Sequence, residues 1–553
     1  MKRLLAGLWV VLLIALPALS ATAEEPETRV VRIIATCDLH GKFLPWDYVL
    51  NAASPSGSMA QLATAIQAYR TGDTILVDGG DTVQDNSAEI FIGDEEAHPM
   101  VQAINALKYD VWVTGNHEYG YGLDALKKII RDLRCRTLTG NVYDAEGNPI
   151  ADGYAILDLN GIRVGVIGMV TPNIARWSCT QLAGCAVTDP LEETRRIIES
   201  IRGRYDVLVG VFHMGLENEF EMPDSGVTDI LNACPEFDVM VSAHEHHLID
   251  GMALGSALVV QNLQQAQTMV VIDLTLVRDG TGWRIVDKVS QSIRIADYEA
   301  DPDMLALLEG CDLRAREDAL TVIGRLEGGP LASGSGMDGI PTASLRDTPQ
   351  VELINNVQMY YADAKVSAAS FPLQEAELHP GDIRKCDIAQ IYRYFNTLYK
   401  LRMTGAQLKA FMEWCACFYN TFQPGDTAVS FNEGFSPYYY CLFSGVCYEI
   451  NLSREPGSRI EGLTWPDGTP VRDDDAFDIV VNDYCANSML LVPGMIYDVG
   501  DMPRLLEKDV HGEIGGIREL IREYIISVKG GVIRPDCDDN WRLTGCERSA
   551  EAA

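Results

Sequence analysis

Positive charge is scarce in this chain of 553 residues. Against 79 aspartates and glutamates stand only 44 lysines and arginines, a formal net charge of −35 at pH 7. So acidic a chain lacks the basic face that nucleic-acid polymers and anionic membranes need, which argues against both as partners. A small phosphate ester remains compatible, because metals and a few arginines reverse the field locally. Past the first twenty residues no apolar run is long enough to span a bilayer. The CxxC spacing of zinc clusters is missing too; Cys415-Ala416-Cys417 is the nearest approach. No internal repeat or low-complexity tract occurs. Histidine is rare, with nine residues in all, so where they fall carries information.

The first residues differ from the rest. Lys2 and Arg3 precede an apolar run from Leu4 to Leu19, broken by Pro17 and followed by Ala21-Thr22-Ala23. A basic start, an apolar middle and a small-x-small end read as a secretory signal peptide over residues 1–23, cut after Ala23. The mature chain is then expected in the periplasm or the medium, with no lipid anchor and no membrane insertion. In an exported protein some of the fourteen cysteines are expected to pair as disulfides, Cys179/Cys185 and Cys537/Cys546 being close enough in sequence. The length itself calls for more than one domain, since single cores rarely grow beyond roughly 250–300 residues.

From Val30 to Ala296 short apolar runs alternate with amphipathic stretches. The runs are Val30–Thr36, Thr74–Val77, Val111–Thr114, Arg163–Val170, Val207–Phe212, Val239–Ser242, Ala257–Gln261 and Met269–Leu276. Most are β-branched and almost continuously apolar, as expected of strands buried on both faces of an α/β sandwich. Gln61–Tyr69, Met100–Leu107 and Leu191–Ile201 have helical spacing. The domain expectation is a metal-binding domain over 28–296, a solvated helical linker without strands over 297–325, and a smaller α+β domain over 326–547. In that second half Thr348–Asp363 and Gly405–Asn420 look helical, while Tyr440–Asn451 and Phe477–Asn482 look like strands.

The chemistry sits where the strands end. The first run leads into Asp38-Leu39-His40-Gly41, the second into Gly79-Gly80-Asp81 and the third into Gly115-Asn116-His117-Glu118. Later runs lead into His213 and into His244-Glu245-His246. In Asp38-x-His40 and His244-x-His246 the period of two puts both side chains on one side of an extended chain. Open α/β folds collect ligands at the carboxyl ends of their strands. Histidine nitrogens, carboxylates and one asparagine oxygen are donors enough for two divalent ions, zinc, manganese or iron rather than calcium. Asp81 is the natural bridge, because a carboxylate can join metals roughly 3.5–4 Å apart.

The series DLHG, GGD, GNHE, HMG and HEHH resembles the calcineurin-like metallophosphoesterases, with Ala243 where the family usually has glycine. That resemblance implies a four-layer sandwich of two mixed sheets flanked by helices. It implies one metal on Asp38, His40, Asp81 and His246 and the other on Asp81, Asn116, His213 and His244. It also implies that His117 faces the phosphate as a catalytic residue, with Asn116 beside it. Asp347-Thr348-Pro349 through Gln358, Ile391–Leu398 and Thr404–Lys409 resemble the C-terminal 5′-nucleotidase domain. Phe443–Ile450 with Asn482-Asp483-Tyr484 is similar to the 2′,3′-cyclic-nucleotide phosphodiesterase branch. By that likeness Tyr438 or Phe443 would be one ring and Tyr484 the other of a pair that holds a nucleobase, since aromatic faces stack on any base.

Three departures stand out. Where relatives with a His–Asp dyad place aspartate, this chain has Gly120, leaving Glu118 or Asp124 as substitutes. The stretch from Ser370 to Asp382 lacks the arginine of the 5′-nucleotidase branch, and Cys485-Ala486-Asn487-Ser488 replaces an arginine–glycine piece. The reading is an exported two-metal phosphoesterase acting on small nucleotides, as a 5′-nucleotidase, a 2′,3′-cyclic-nucleotide 2′-phosphodiesterase/3′-nucleotidase, or both. The alternatives are a sugar-nucleotide pyrophosphatase or other ester hydrolase on the same scaffold, or a catalytically silent metal- or nucleotide-binding protein.

Overall fold

The structure is a computed structural model. It describes residues 27–546 apart from 218, 220–225, 281, 333–341, 371–376, 395 and 513. The signal-peptide segment 1–23 thus lies outside the described residues. None of the described helices is long and apolar enough to cross a membrane.

The chain forms two compact units, the second built chiefly from Tyr298 onward. The first holds two six-stranded mixed sheets. In one, the parallel strands Thr28–Thr36, Thr74–Asp78, Val111–Val113 and Arg136–Leu138 lie side by side. The antiparallel pair Thr268–Asp279 and Gly282–Arg294 extends that sheet from the edge of Thr28–Thr36. In the other, Ile162–Val170, Val207–His213, Val239–Ser242 and Ala257–Gln261 run parallel. Tyr154–Leu159 and Ile249–Leu254 close its two edges antiparallel.

Valine and isoleucine explain the stacking. Ile33, Val77, Val111 and Val113 of one sheet and Val166, Val209, Val211 and Val241 of the other belong to one buried cluster. The opposite face of the second sheet, including Ile167, Leu208, Phe212 and Met240, packs on helices Pro190–Ile201 and Val227–Ala233 through Ile197, Ile198, Ile201 and Ile230. Both faces of these strands are therefore dry, which is why their sequences read as continuous apolar runs rather than alternating ones. Helix Pro190–Ile201 starts where Pro190 occupies its first turn and the Asp189 carboxylate accepts from the N–H groups of Leu191 and Glu192.

The eight sequence-predicted runs are all strands, within one to three residues at their ends. Strands Tyr154–Leu159, Ile249–Leu254 and Gly282–Arg294 escape the sequence reading; they lie at sheet edges and are largely half-buried or exposed, unlike the dry central strands.

In the second unit, helix Pro302–Ala319 is followed by a strand, Val322–Leu326, where the sequence reading expects helix without strands. That strand pairs with Gly381–Arg384 and Val532–Ile533, partners too distant in sequence to be anticipated. A five-stranded sheet centred on Val366–Ser370, Leu398–Thr404 and Ala476–Asn482 carries helices Pro349–Ala362 and Gly405–Cys415. Among the described residues no two cysteines stand at disulfide distance, so the structure shows none of the expected disulfides, Cys179/Cys185 and Cys537/Cys546 included. Cys441 and Cys485 approach to 3.5 Å between sulfurs.

Candidate metal centre

Parallel strands share a direction, so their carboxyl ends share an edge. In the first unit that edge gathers Asp38, Asp81, Asn116, His117, His213, His244 and His246. Their backbones are held in an uncommon state. Asp38, His40, Asp81, His244 and His246 all have positive φ, between 45° and 80°. Non-glycine residues seldom adopt that region, and they keep it only where the surroundings over-determine it.

Asp81 sits at the centre and is 1% exposed. Its Oδ1 accepts the N–H of His117 at 2.9 Å, and its Oδ2 lies 3.1 Å from His213 Nε2 and 3.8 Å from His117 Nε2. His213 Nε2 also stands 3.0 Å from Asn116 Oδ1, while Nδ1 is 2.7 Å from the Gly79 carbonyl. That carbonyl accepts the Nδ1–H and so keeps the proton on Nδ1, leaving Nε2 as the nitrogen with a lone pair to offer an ion. Asp38 is buried as well. It accepts the His244 N–H at 3.2 Å and has His246 Nε2 at 3.4 Å from Oδ1. Gly115 is needed here: a Cβ on it would lie 2.1 Å from Asp81 Oδ1.

Two sets of side chains have the donor spacing for an ion: Asp81, His213 and His244, and Asp38, His40 and His246, each with its atoms within 4.8 Å of one another. The site potential is strongly negative. Burial opposes charge on the His213 ring, yet Asp81 and Asp38 raise it to about 10. Burial likewise disfavours the Asp38 carboxylate, yet His246 and His213 hold it below its usual value. Buried carboxylates facing neutral-capable nitrogens, with no sulfur among them, fit borderline divalent ions such as zinc, manganese or iron.

Glu118 does not take the place of the missing dyad aspartate. It is fully buried, and its carboxylate accepts the backbone N–H of Gly115 at 2.7 Å, of Asp81 at 3.0 Å and of Thr82 at 2.7 Å. Burial and the Asp81 charge raise its pKa. It ties the two glycine-bearing loops together and faces away from the chemistry. Gly120 has open space where a side chain would go. The carboxylate found near the His117 ring is Asp81. Replacing Glu118 by glutamine puts an amide N–H₂ among three backbone donors, so Glu118→Gln is expected to lower stability by about 1–3 kcal/mol. Urea melts of the two proteins measure it, and equal midpoints and slopes would show that these bonds contribute nothing net.

Glu219 is the residue that sequence reasoning misses. Its Oε1 lies 3.2 Å from His244 Nε2 and its Oε2 accepts the Gly215 N–H at 2.5 Å. It follows the HMG motif in the run Leu216-Glu217-Asn218-Glu219, where three acidic or amide side chains compete and no fixed spacing selects one. Trp177 lies against the same histidine, its ring 5.5 Å from that of His244.

The aromatic candidates of the second unit separate. Tyr438 and Tyr484 are partly exposed, at 41% and 39%. Phe443 is 2% exposed and packs edge-on against Phe411 and Tyr448, so it is a core residue with no face to offer a base. Tyr439, beside Tyr484 with ring centroids 5.9 Å apart and 17° between planes, stands nearer to that role.

Residues 31–248 match the model of the calcineurin-like phosphoesterases, and residues 322–490 match that of the 5′-nucleotidase C-terminal domain. The chain belongs to the calcineurin-like metallophosphoesterases that carry a 5′-nucleotidase C-terminal domain. It is therefore an enzyme of a metal-dependent phosphoester hydrolase family. A 2′,3′-cyclic-nucleotide 2′-phosphodiesterase/3′-nucleotidase of Yersinia enterocolitica is 25% identical over 96% of this chain and 91% of its own. The Bacillus subtilis trifunctional nucleotide phosphoesterase protein YfkN is 25% identical over 98% of this metallophosphoesterase, which spans 41% of that longer relative. Among solved structures, a Staphylococcus aureus protein crystallised as a candidate 5′-nucleotidase has the same fold, with a TM-score of 0.70 at 20% identity over 93% of this chain and all of that one.

Proposed function

We propose that the chain hydrolyses small nucleotides, 2′,3′-cyclic nucleotides and nucleoside 3′-monophosphates foremost, and that it does so outside the cytoplasm. The observation that carries this reading is Asp81, whose two oxygens serve His117 on one side and His213 with Asn116 on the other. Two ions would be held by Asp38, His40, Asp81 and His246 and by Asp81, Asn116, His213 and His244. Bound there, divalent metals supply charge for phosphoryl oxygens and lower the pKa of an attacking water. The protein's own part is to hold these donors rigidly, to keep the His213 tautomer through Gly79, and to present the His117 ring at the mouth of the site. His117, 36% exposed at its side chain, is placed to offset charge on the departing oxygen. The cyclic-nucleotide emphasis rests on the Yersinia enterocolitica and Salmonella typhimurium relatives named for that activity, each aligned over 91% of its own length. Export rests on the sequence of residues 1–23.

Phosphate and nucleoside release from AMP, 3′-AMP, 2′,3′-cyclic AMP, UDP-glucose and bis-p-nitrophenyl phosphate tests the reading. Turnover of the cyclic and 3′ substrates supports it, AMP alone shifts it to a 5′-nucleotidase, and activity on the aryl diester alone overturns the nucleotide assignment. If Tyr484 offers its face to the base, Tyr484→Ala should raise KM by about 5–150-fold, the equivalent of 1–3 kcal/mol of stacking, with kcat little changed. An unchanged KM removes Tyr484 from the substrate site.

A further inference from the structure

The C-terminal unit holds another acidic group that this chemistry leaves unused. Asp347, Glu352 and Asp538 each offer a carboxylate oxygen, and these atoms lie within 4.8 Å of one another. Asp347 stands just before helix Pro349–Ala362, Glu352 lies in its first turn, and Asp538 precedes strand Trp541–Thr544. Three like charges so close repel, and two of them are buried. Burial, with Asp538 and Asp347 beside it, pushes Glu352 up to about 7, and burial raises Asp347 as well.

The oxygens are not used up by hydrogen bonds. Glu352 accepts Asn356 Nδ2 and Ser444 Oγ, both at 2.9 Å, which aims its carboxylate without neutralising it. Asp347, 7% exposed, accepts the Thr348 N–H at 2.8 Å on Oδ1; the Cys537 thiol and the Asn540 N–H also face this carboxylate, yet its buried Oδ2 has no donor in hydrogen-bond geometry. A buried carboxylate oxygen with no donor costs free energy unless a cation meets it. Asn540, whose backbone N–H faces Asp347, shows the same feature. Its Nδ2 donates to the Phe443 and Val446 carbonyls at 2.7 and 2.9 Å, and its Oδ1, on a residue 6% exposed, is buried without a partner.

We propose that Asp347, Glu352 and Asp538, with Asn540 beside them, form a calcium site distinct from the histidine-bearing centre. An all-oxygen donor set of high charge selects a hard cation, and the exposed Asp538 leaves positions for water, which calcium's variable coordination accepts. The ion would staple the start of helix Pro349–Ala362 to the segment leading into Trp541–Thr544, the strand that pairs with Cys447–Asn451. Its role is to hold the C-terminal segment in place, and it does not depend on the substrate assigned above.

Terbium is a suitable probe, because buried Trp541 follows Asp538 by three residues and can sensitise its emission. The full chain, stripped with EDTA, is titrated with terbium and then with calcium. Wild type should show tryptophan-sensitised emission that calcium displaces. Asp538→Asn, at an exposed position where folding is not at risk, should weaken both ions at least about tenfold, whereas Asp81→Asn should keep the signal. Calcium should raise Tm for wild type and Asp81→Asn but not for Asp538→Asn. In EDTA, Asp538→Asn should melt no lower than wild type, since one of three repelling charges is gone. Binding that survives Asp538→Asn unchanged, or that vanishes only in Asp81→Asn, overturns the proposal. So does an Asp538→Asn variant that melts lower in EDTA, because the carboxylate would then be stabilising without any ion.

Discussion

Asp81→Asn is expected to lower kcat/KM by on the order of 10³-fold or more and to strip metal from the purified protein. The expectation follows from what each oxygen of Asp81 does. Oδ1 holds the His117 N–H, and Oδ2 faces His213 Nε2, with Gly115 packed so closely that a Cβ there would lie 2.1 Å from Oδ1. An amide has one oxygen and one N–H₂ group. Either the His117 N–H loses its acceptor, or His213 and any ion beside it face a donor. One negative charge is lost as well, from the group best placed to join two cations. Metal analysis by mass spectrometry, run beside kcat and KM, separates loss of metal from loss of chemistry, and circular dichroism reports whether the fold is kept. Near wild-type turnover with two metals still bound would sink the bridging role.

His117→Ala should behave differently. The ring is partly exposed and is not required for either set of donor atoms, so metal content should stay the same. What should fall is kcat, by about 10²–10⁴-fold, with KM little changed, because the ring acts when charge builds on the departing oxygen. The effect should be largest for substrates with poor leaving groups and smaller for p-nitrophenyl esters, whose leaving group needs little help. A kcat within about threefold of wild type on nucleotides would remove His117 from the mechanism. Glu118 is committed to three backbone N–H groups, and it is Asp81 that meets His117, at its N–H and, at 3.8 Å, at its ring.

The donors of the metal centre were legible because each stands immediately after an apolar run. Once Val111–Val113 or Val207–His213 is read as a buried parallel strand, Asn116 and His213 must appear at its carboxyl end. What resisted the reading has a common cause. Glu219 approaches His244 from a stretch with no regular period, so nothing local marks it. Phe443 and Tyr484 look alike as aromatic residues near strand ends, yet one points into the packing of Phe411 and Tyr448 and the other outward. Val322–Leu326 becomes a strand only because partners some sixty and two hundred residues away supply its hydrogen bonds. The cysteines were read from an exported context, whereas a disulfide requires two sulfurs brought together with the correct approach, and no spacing along a chain supplies that.

By itself, then, the sequence determined eight strands of the first unit, the identity of seven metal-ligand candidates and the family. Periodicity and strand-end position are local properties, readable residue by residue. Tertiary structure alone decided which carboxylates face the histidines and which only brace the loops, which aromatic rings keep a free face, and that Asp347, Glu352 and Asp538 meet at all. Those outcomes depend on distances between segments far apart in the chain, and only packing sets such distances.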